Sequence, residues 1–341
     1  MAVPIFRPTV KRRDMGSVLT CIVSDKLGPG EVSRDLVARA GHLLGMAGGT
    51  TLSNTYLALS VALESLGLAP FDGVILPALA PAIYLRVIRD RGLRPLVADV
   101  EAESAGIDAQ EASRLAANGA KAIIVPHLLG IVSDVEGLRG LGIPIIEDAS
   151  QALGGKVGEK PCGGAGDLTL TSLEPAHIIT CGGGALLLAR GKPGAAAIRR
   201  IVEGSPLYSQ LADMNAALGI SQLAALERFV LARREIAQVF AQSLLRCRHS
   251  PLVQKLDAEN VLSSFPVVLT DGMKEARAYA MKKGVEAVPA FSDTIAAVDE
   301  PLAEACPRAR SLMLRCLLFP LYPMLAKRDV EIISKVLATL P

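Results

Sequence analysis

The chain has 341 residues, 50% of them hydrophobic and 21% charged, which excludes a disordered protein and gives material for two domains with a large apolar core. Lys+Arg is 36 against Asp+Glu 34, and a net charge of +2 with no basic run beyond Lys11-Arg12-Arg13 leaves no electrostatic footprint for nucleic acid. The most apolar stretches, Gly73 to Leu85 and Pro175 to Ala189, are broken by prolines or by three consecutive glycines and fall short of the ~18 apolar residues of a membrane span.

Residues 1–14 lack the apolar core of a signal peptide, so a soluble, cytoplasmic protein is expected, with no membrane contact. The six cysteines form no C-x-x-C or C-x-C pair, which predicts free thiols and no metal site.

In chain order, Tyr56 to Leu66 reads as a helix preceded by the polar run Ser53-Asn54-Thr55. Val74 to Pro77 reads as a buried strand, Ile83 to Arg91 as a helix stopped by Gly92, and Pro95 to Ala98 as a strand. Ile107 to Ala117 is helical, Ala122 to Pro126 is a strand, Val135 to Arg139 a short helix, and Pro144 to Asp148 the next strand. This alternation predicts an α/β domain with a mainly parallel sheet, whose functional residues sit at the carboxyl ends of strands. A long helix is expected over Leu211 to Arg246. Beyond it the pattern changes, with strands at Phe265 to Leu269 and Leu317 to Pro320 and helices at Lys274 to Lys283 and Arg328 to Leu340. We place the division near residue 230, giving a large domain with an N-terminal arm over 1–230 and a small α/β domain over 231–341.

Four places carry polar residues where chemistry is expected. Asn54 and Thr55 at a helix start either cap the helix or present amides to a phosphate. Asp148, at the end of an apolar strand and followed by Ser150-Gln151, needs a partner: a capped turn, a ligand cation or a protonated ring nitrogen. Ser172 and His177 lead into Gly182-Gly183-Gly184, whose backbone allows close approach of a ligand; a lone histidine there is structural or a proton carrier. His127, at another strand end, reads as structural.

Together these places resemble one family, the DegT/DnrJ/EryC1/StrS group of sugar aminotransferases. The resemblance rests on Ser53-Asn54-Thr55 through Leu63, on Lys121 to Ile124 with His127-Leu128-Leu129-Gly130, on Ile146-Glu147-Asp148-Ala149-Ser150-Gln151, on Met214 to Leu223 with Arg233-Arg234, and on Phe319 to Pro323. It runs from about Gly30 to Leu340. It implies fold type I of the pyridoxal-phosphate (PLP) transferases, with a mainly parallel seven-stranded sheet in the large domain, a homodimer, and a nucleotide-linked sugar as ligand. It further implies that Asp148 pairs with the cofactor's ring nitrogen, that Gln151 sits beside the ring, and that Ser172 with the amides of Asn54 and Thr55 holds the phosphate.

The departures set the functional expectation. Where the family has the lysine that carries PLP as a Schiff base, this chain has His177, and no lysine occurs between Lys160 and Lys192. The family's Thr-aromatic pair aligns with Ala80-Pro81, its cross-dimer Asn and Arg with Tyr208 and Gln210, and the Glu and last Gly of its GEGG with Gly183 and Ala185. No aromatic ring stands at Pro81 or in Thr171-Ser172-Leu173, where relatives put rings beside or near the cofactor, which points to an altered site. One branch, the sugar 3-dehydratases, carries the same histidine, uses non-covalent PLP or pyridoxamine phosphate (PMP), and has His remove a proton from a 4-keto sugar. The expectation is therefore a 3-dehydratase-like enzyme with His177 as its catalytic residue. The alternatives are a non-catalytic binding or structural subunit and a sugar aminotransferase.

Overall fold

The computed structural model describes residues 2–25, 27–206, 209–253 and 259–341. Strands β1 (Gly48–Leu52), β2 (Gly73–Pro77), β3 (Arg94–Ala98), β4 (Ala120–Pro126) and β5 (Ile145–Asp148) are followed by the small hairpin β6 (Lys156–Val157) and β7 (Lys160–Pro161), then β8 (Leu168–Ser172) and β9 (Ala185–Ala189). Seven of them form one sheet in the order β1-β9-β8-β5-β4-β2-β3. The run from β3 to β8 is parallel, while β9 is antiparallel to both β8 and β1. The parallel strands are buried on both faces, so Gly73–Pro77 and Leu168–Ser172 are buried at every residue.

Helices α1 (Met15–Val23), α2 (Glu31–Leu44), α3 (Thr55–Ser65), α4 (Ala82–Asp90), α5 (Ala109–Ala117), α6 (Val135–Leu138), α7 (Lys192–Glu203), α8 (Asp213–Leu223) and α9 (Leu226–Leu244) connect or flank this sheet. Leu59, Leu63, Leu76, Tyr84, Ile88 and Leu187 meet in one core on one face, and Ile75, Ile123, Ile145 and Leu138 in another. The chain then builds β10 (Ser250–Pro251), β11 (Phe265–Val268), β12 (Val288–Pro289) and β13 (Cys316–Phe319) into an antiparallel sheet in the order β10-β11-β13-β12. It is backed by α10 (Met273–Lys282), α13 (Pro307–Arg315) and α14 (Lys327–Ala338), with the short α11 (Ile295–Val298) and α12 (Glu300–Ala305) between. Phe240 of α9 packs edge-on against Phe265 of β11 in this core, with ring centroids 5.5 Å apart.

The expected single helix over Leu211 to Arg246 is two helices, broken at Ala224-Ala225. Alanine favours helix, so nothing in the local sequence marks the break. The cause is tertiary, because α8 packs on α1 and α2 whereas α9 packs on α14. Asp213, the first residue of α8, accepts the amides of Gly30, Val32 and Ser33 and so caps α2. Arg233 of α9 is buried and donates to the carbonyls of Leu262, Ser263 and Leu321, which fastens the helix to the C-terminal sheet; burial brings its pKa down to about 10. No helix among the described residues is long and apolar enough to cross a membrane.

Candidate functional site

The parallel strands all point their carboxyl ends the same way, and there the chain leaves a cleft of about 440 Å³. Asn54, Thr55, Asp148, Gln151, Ser172 and His177 all line it. Asn54 arrives after β1 and caps α3, its side chain accepting from the Leu57 amide at 2.9 Å. Asp148 ends β5 and Ser172 ends β8. Gln151 follows directly after Ser150, and its side-chain carbonyl accepts the Leu129 amide at 2.7 Å. Gly130, in the same crossing, has φ +85, and a Cβ there would lie 1.9 Å from the Val261 carbonyl, so only glycine lets these chains pass.

Both oxygens of Asp148 accept hydrogen bonds. Oδ1 accepts from the Ser150 amide at 2.9 Å and from the Ser150 hydroxyl. Oδ2 accepts from the Tyr84 hydroxyl at 2.5 Å. Tyr84 is 2% exposed and packs with the core between the sheet and its helices. Burial first, then the charge and hydrogen bond of Asp148 and the charge of Glu174, push the phenol well above its ordinary pKa, so it stays protonated and donates. Ser150 also accepts the Ser172 amide at 2.7 Å, which joins the ends of β5 and β8.

The rim carries a second internal contact. The Thr55 hydroxyl donates to the Glu174 carboxylate at 3.2 Å, at the N-terminus of α3. Asp293 reaches the cleft from the C-terminal part of the chain, where its carbonyl accepts the Ala82 amide. The cleft thus holds three carboxylates, and no lysine or arginine lines it among the described residues. His177 has its pKa lowered by burial, against the opposing pull of Asp148 and Glu174, so the imidazole facing this acidic cleft is neutral near pH 7.

Tyr84, Glu174 and Asp293 were not singled out in the sequence; the rings that line the cleft come from Tyr56 and Tyr84, not from Pro81 or residues 171–173. A signal for Tyr84 existed: it sits three residues after Pro81, on the same face of the first turn of α4. Gln210 stands outside this cleft, donating to the Thr50 hydroxyl at 3.4 Å and lining a separate hollow beside β1. Tyr208 lies outside the described residues.

His127 is structural, as expected. Its Nε2 is 2.9 Å from Glu147, and its Nδ1 accepts the Ser133 amide. Glu147 also accepts the amides of Gly163, Ala165 and Gly166 at 2.6–2.8 Å. With Cys162 these residues form a cluster of metal-ligand types whose donor atoms lie within 4.8 Å of one another. The carboxylate is already saturated by hydrogen-bond donors, and burial with the charges of Glu147 and Asp148 keeps the Cys162 thiol protonated. The cluster therefore acts as a hydrogen-bonded brace.

Comparison with known proteins gives a consistent result. The profile of the DegT/DnrJ/EryC1/StrS aminotransferase family matches residues 8–338. GDP-perosamine synthase of Vibrio cholerae is 26% identical over 259 residues, covering 71% of this chain and 71% of that protein. A Streptococcus pneumoniae protein described as a sugar aminotransferase, in its PMP form, superposes with a TM-score of 0.92 at 19% identity, over 100% of this chain and 98% of that one. The E. coli GDP-4-keto-6-deoxy-D-mannose-3-dehydratase with bound hydrated PLP superposes at 0.88 and 16% identity, over 99% of this chain and 100% of that one. The architecture is that of the fold-type-I PLP aminotransferases, a seven-stranded, mainly parallel sheet with a small antiparallel C-terminal sheet.

Proposed function

The chain belongs to the DegT/DnrJ/EryC1/StrS aminotransferase family, and we propose that within it this protein is a non-transaminating member whose cleft takes a nucleotide-linked sugar. The observation that carries the reading is His177. By the resemblance it stands where the family's Schiff-base lysine would be, and no lysine lines the cleft among the described residues. An imidazole forms no imine with an aldehyde, so the covalent tether and the proton relay of transamination are both missing. The GDP-linked sugars in the names of the relatives supply the ligand class.

The family's cofactor supplies an electron sink through a protonated pyridine ring and is anchored at that ring nitrogen and at its phosphate. The residues here fit those anchors in part. Asp148, which would take the ring nitrogen, accepts two donors at Oδ1 and only one, Tyr84, at Oδ2, which leaves room for another. Thr55, at the expected phosphate cup, is engaged by Glu174, which repels a phosphate dianion seated there, so the cleft is read as taking the sugar end of a nucleotide sugar and not its diphosphate. The same groups suit sugar hydroxyls, which donate to carboxylates and accept from the Asn54 and Gln151 amides.

A second reading, the 3-dehydratase with non-covalent PMP, is favoured by one observation: the neutral His177 imidazole faces the same cleft as Asp148 and Gln151. Family membership supports a cytoplasmic homodimer, and a division into large and small domains at 230/231 is supported by α9, whose Leu226, Phe229 and Val230 pack in one core and whose Ala237, Phe240 and Leu244 pack in the C-terminal one. Incubating purified protein with GDP-4-keto-6-deoxymannose, PLP or PMP, and glutamate separates the readings. We expect saturable binding of the nucleotide sugar with its mass unchanged. An amino sugar product contradicts the proposal in favour of transamination, and loss of the C3 hydroxyl contradicts it in favour of dehydration.

A further inference from the structure

Among the described residues that line the cleft, Asp293 is the one contributed from beyond α9. Its place is set by packing on both sides. Phe291 is buried in the C-terminal core, whereas Ile295 is buried in the core that α3 and α4 form on the large sheet. The backbone between these cores is tied to the chain that enters α4. The Asp293 carbonyl accepts the Ala82 amide at 3.2 Å, and the Ile295 and Ala296 amides donate to the carbonyls of Ala80 and Ala78 at 3.0 Å. From Phe291 to Ala296 only Ser292 and Asp293 are exposed. The three carboxylates of the cleft also differ in what they already hold. Asp148 accepts from Tyr84 and Ser150, and Glu174 accepts from Thr55. The Asp293 carboxylate has no hydrogen-bond or ion-pair partner among the described residues.

We propose that Asp293 is the residue that selects the sugar, its two carboxylate oxygens accepting from two adjacent hydroxyls of the pyranose ring. The inference rests on the nucleotide-sugar reading of the cleft and deepens it by naming the group that tells one sugar from another. An ionised carboxylate only accepts, and its paired oxygens take two neighbouring O–H donors at once. In a 4-keto-6-deoxy sugar linked through C1, the adjacent hydroxyls are those at C2 and C3. Hydrogen bonds to a charged acceptor are about twice as strong as neutral ones, so a sugar lacking one of the pair forfeits a strong contact and is rejected. The clamped backbone spares the cost of ordering this segment when the ligand enters. The sugar is uncharged, so it meets no repulsion from Asp293, and the diphosphate lies outside the cleft.

The test is calorimetric titration of the full-length protein with two nucleotide sugars that differ by one hydroxyl, GDP-4-keto-6-deoxymannose and its 3-deoxy counterpart, with GDP alone as a third probe. Wild type is expected to bind the first at least about tenfold more tightly than the second. Asp293→Ala is expected to weaken the first by about tenfold or more, to bind the two sugars within about twofold of each other, and to hold GDP no more weakly than wild type does. Asp293→Asn keeps one acceptor oxygen and is expected to fall between. Asp293 is exposed, so neither substitution removes core packing. Wild type that binds both sugars alike, or Asp293→Ala protein that still discriminates about tenfold, overturns the inference alone and leaves the proposed function standing. Wild type that binds neither sugar overturns both.

Discussion

Glu147 and Asp148 are consecutive residues of one strand, both buried carboxylates, and they have opposite fates. A strand sends neighbouring side chains to opposite faces. Glu147 turns to the side where three backbone amides and His127 enclose it. Asp148 turns to the cleft, where side-chain hydroxyls carry most of its bonding. Burial alone raises the pKa of Glu147, but the His127 hydrogen bond and charge and the amides of Gly163 and Gly166 outweigh it, leaving the group below its ordinary value. Backbone donors are removed only by substitution with proline, so the Glu147 cage is set by the fold. Two of the three donors to Asp148 are side-chain hydroxyls, so its chemistry can drift while the fold stays. A site can thus be rebuilt for another use one residue away from a brace that cannot.

The largest expected effect breaks the brace. Glu147→Ala strands three buried amides and one imidazole, and by analogy with broken buried pairs is expected to cost about 3–5 kcal/mol in denaturant unfolding. Because the folded carboxylate is held below 4.5, its contribution is complete above that pH and fades as pH falls through the depressed value. A cost under ~1 kcal/mol would mean that the cage does not constrain the fold.

Tyr84→Phe sharpens the comparison from the other side. It keeps the ring and removes one hydrogen bond to a charged acceptor, so about 1.5–3 kcal/mol is expected, less than at Glu147. An unchanged melting curve would show that Asp148 does not depend on the phenol.

The smallest effect lies at His177. The unfolded imidazole titrates near 6.5 and the folded one lower, so the unfolded chain binds more protons in that window. Wild-type stability is therefore expected to fall as pH drops from 6.5 through the lowered value, and His177→Asn is expected to flatten this part of the profile. A steeper profile in the variant would contradict a neutral, half-buried imidazole.

Much of the large sheet was legible because its parallel strands are continuous apolar runs between helix stops, as at Val74 to Pro77 and Ala122 to Pro126. The strands β1 and β8 were not read as strands, because Gly48-Gly49-Thr50-Thr51 and Leu168 to Ser172 carry threonine, serine or glycine where burial comes from the surrounding layers. The apolar β9, Ala185–Ala189, was passed over behind three consecutive glycines. The six residues named for the site lie in one cleft because each sits in a motif whose order along the chain could be matched. Tyr84 and Glu174 were passed over for a physical reason: each acts through a partner far away in sequence, Asp148 for Tyr84 and Thr55 for Glu174, and no local spacing reports such a pair.

The central claim is that this cleft offers no lysine among the described residues to tether a pyridoxal cofactor, His177 standing in that place by the resemblance. Its most direct test is borohydride reduction of the purified protein with excess PLP, followed by peptide mass mapping. The account predicts no pyridoxyl group on any residue of the cleft. A pyridoxyllysine traced to this cleft would contradict it.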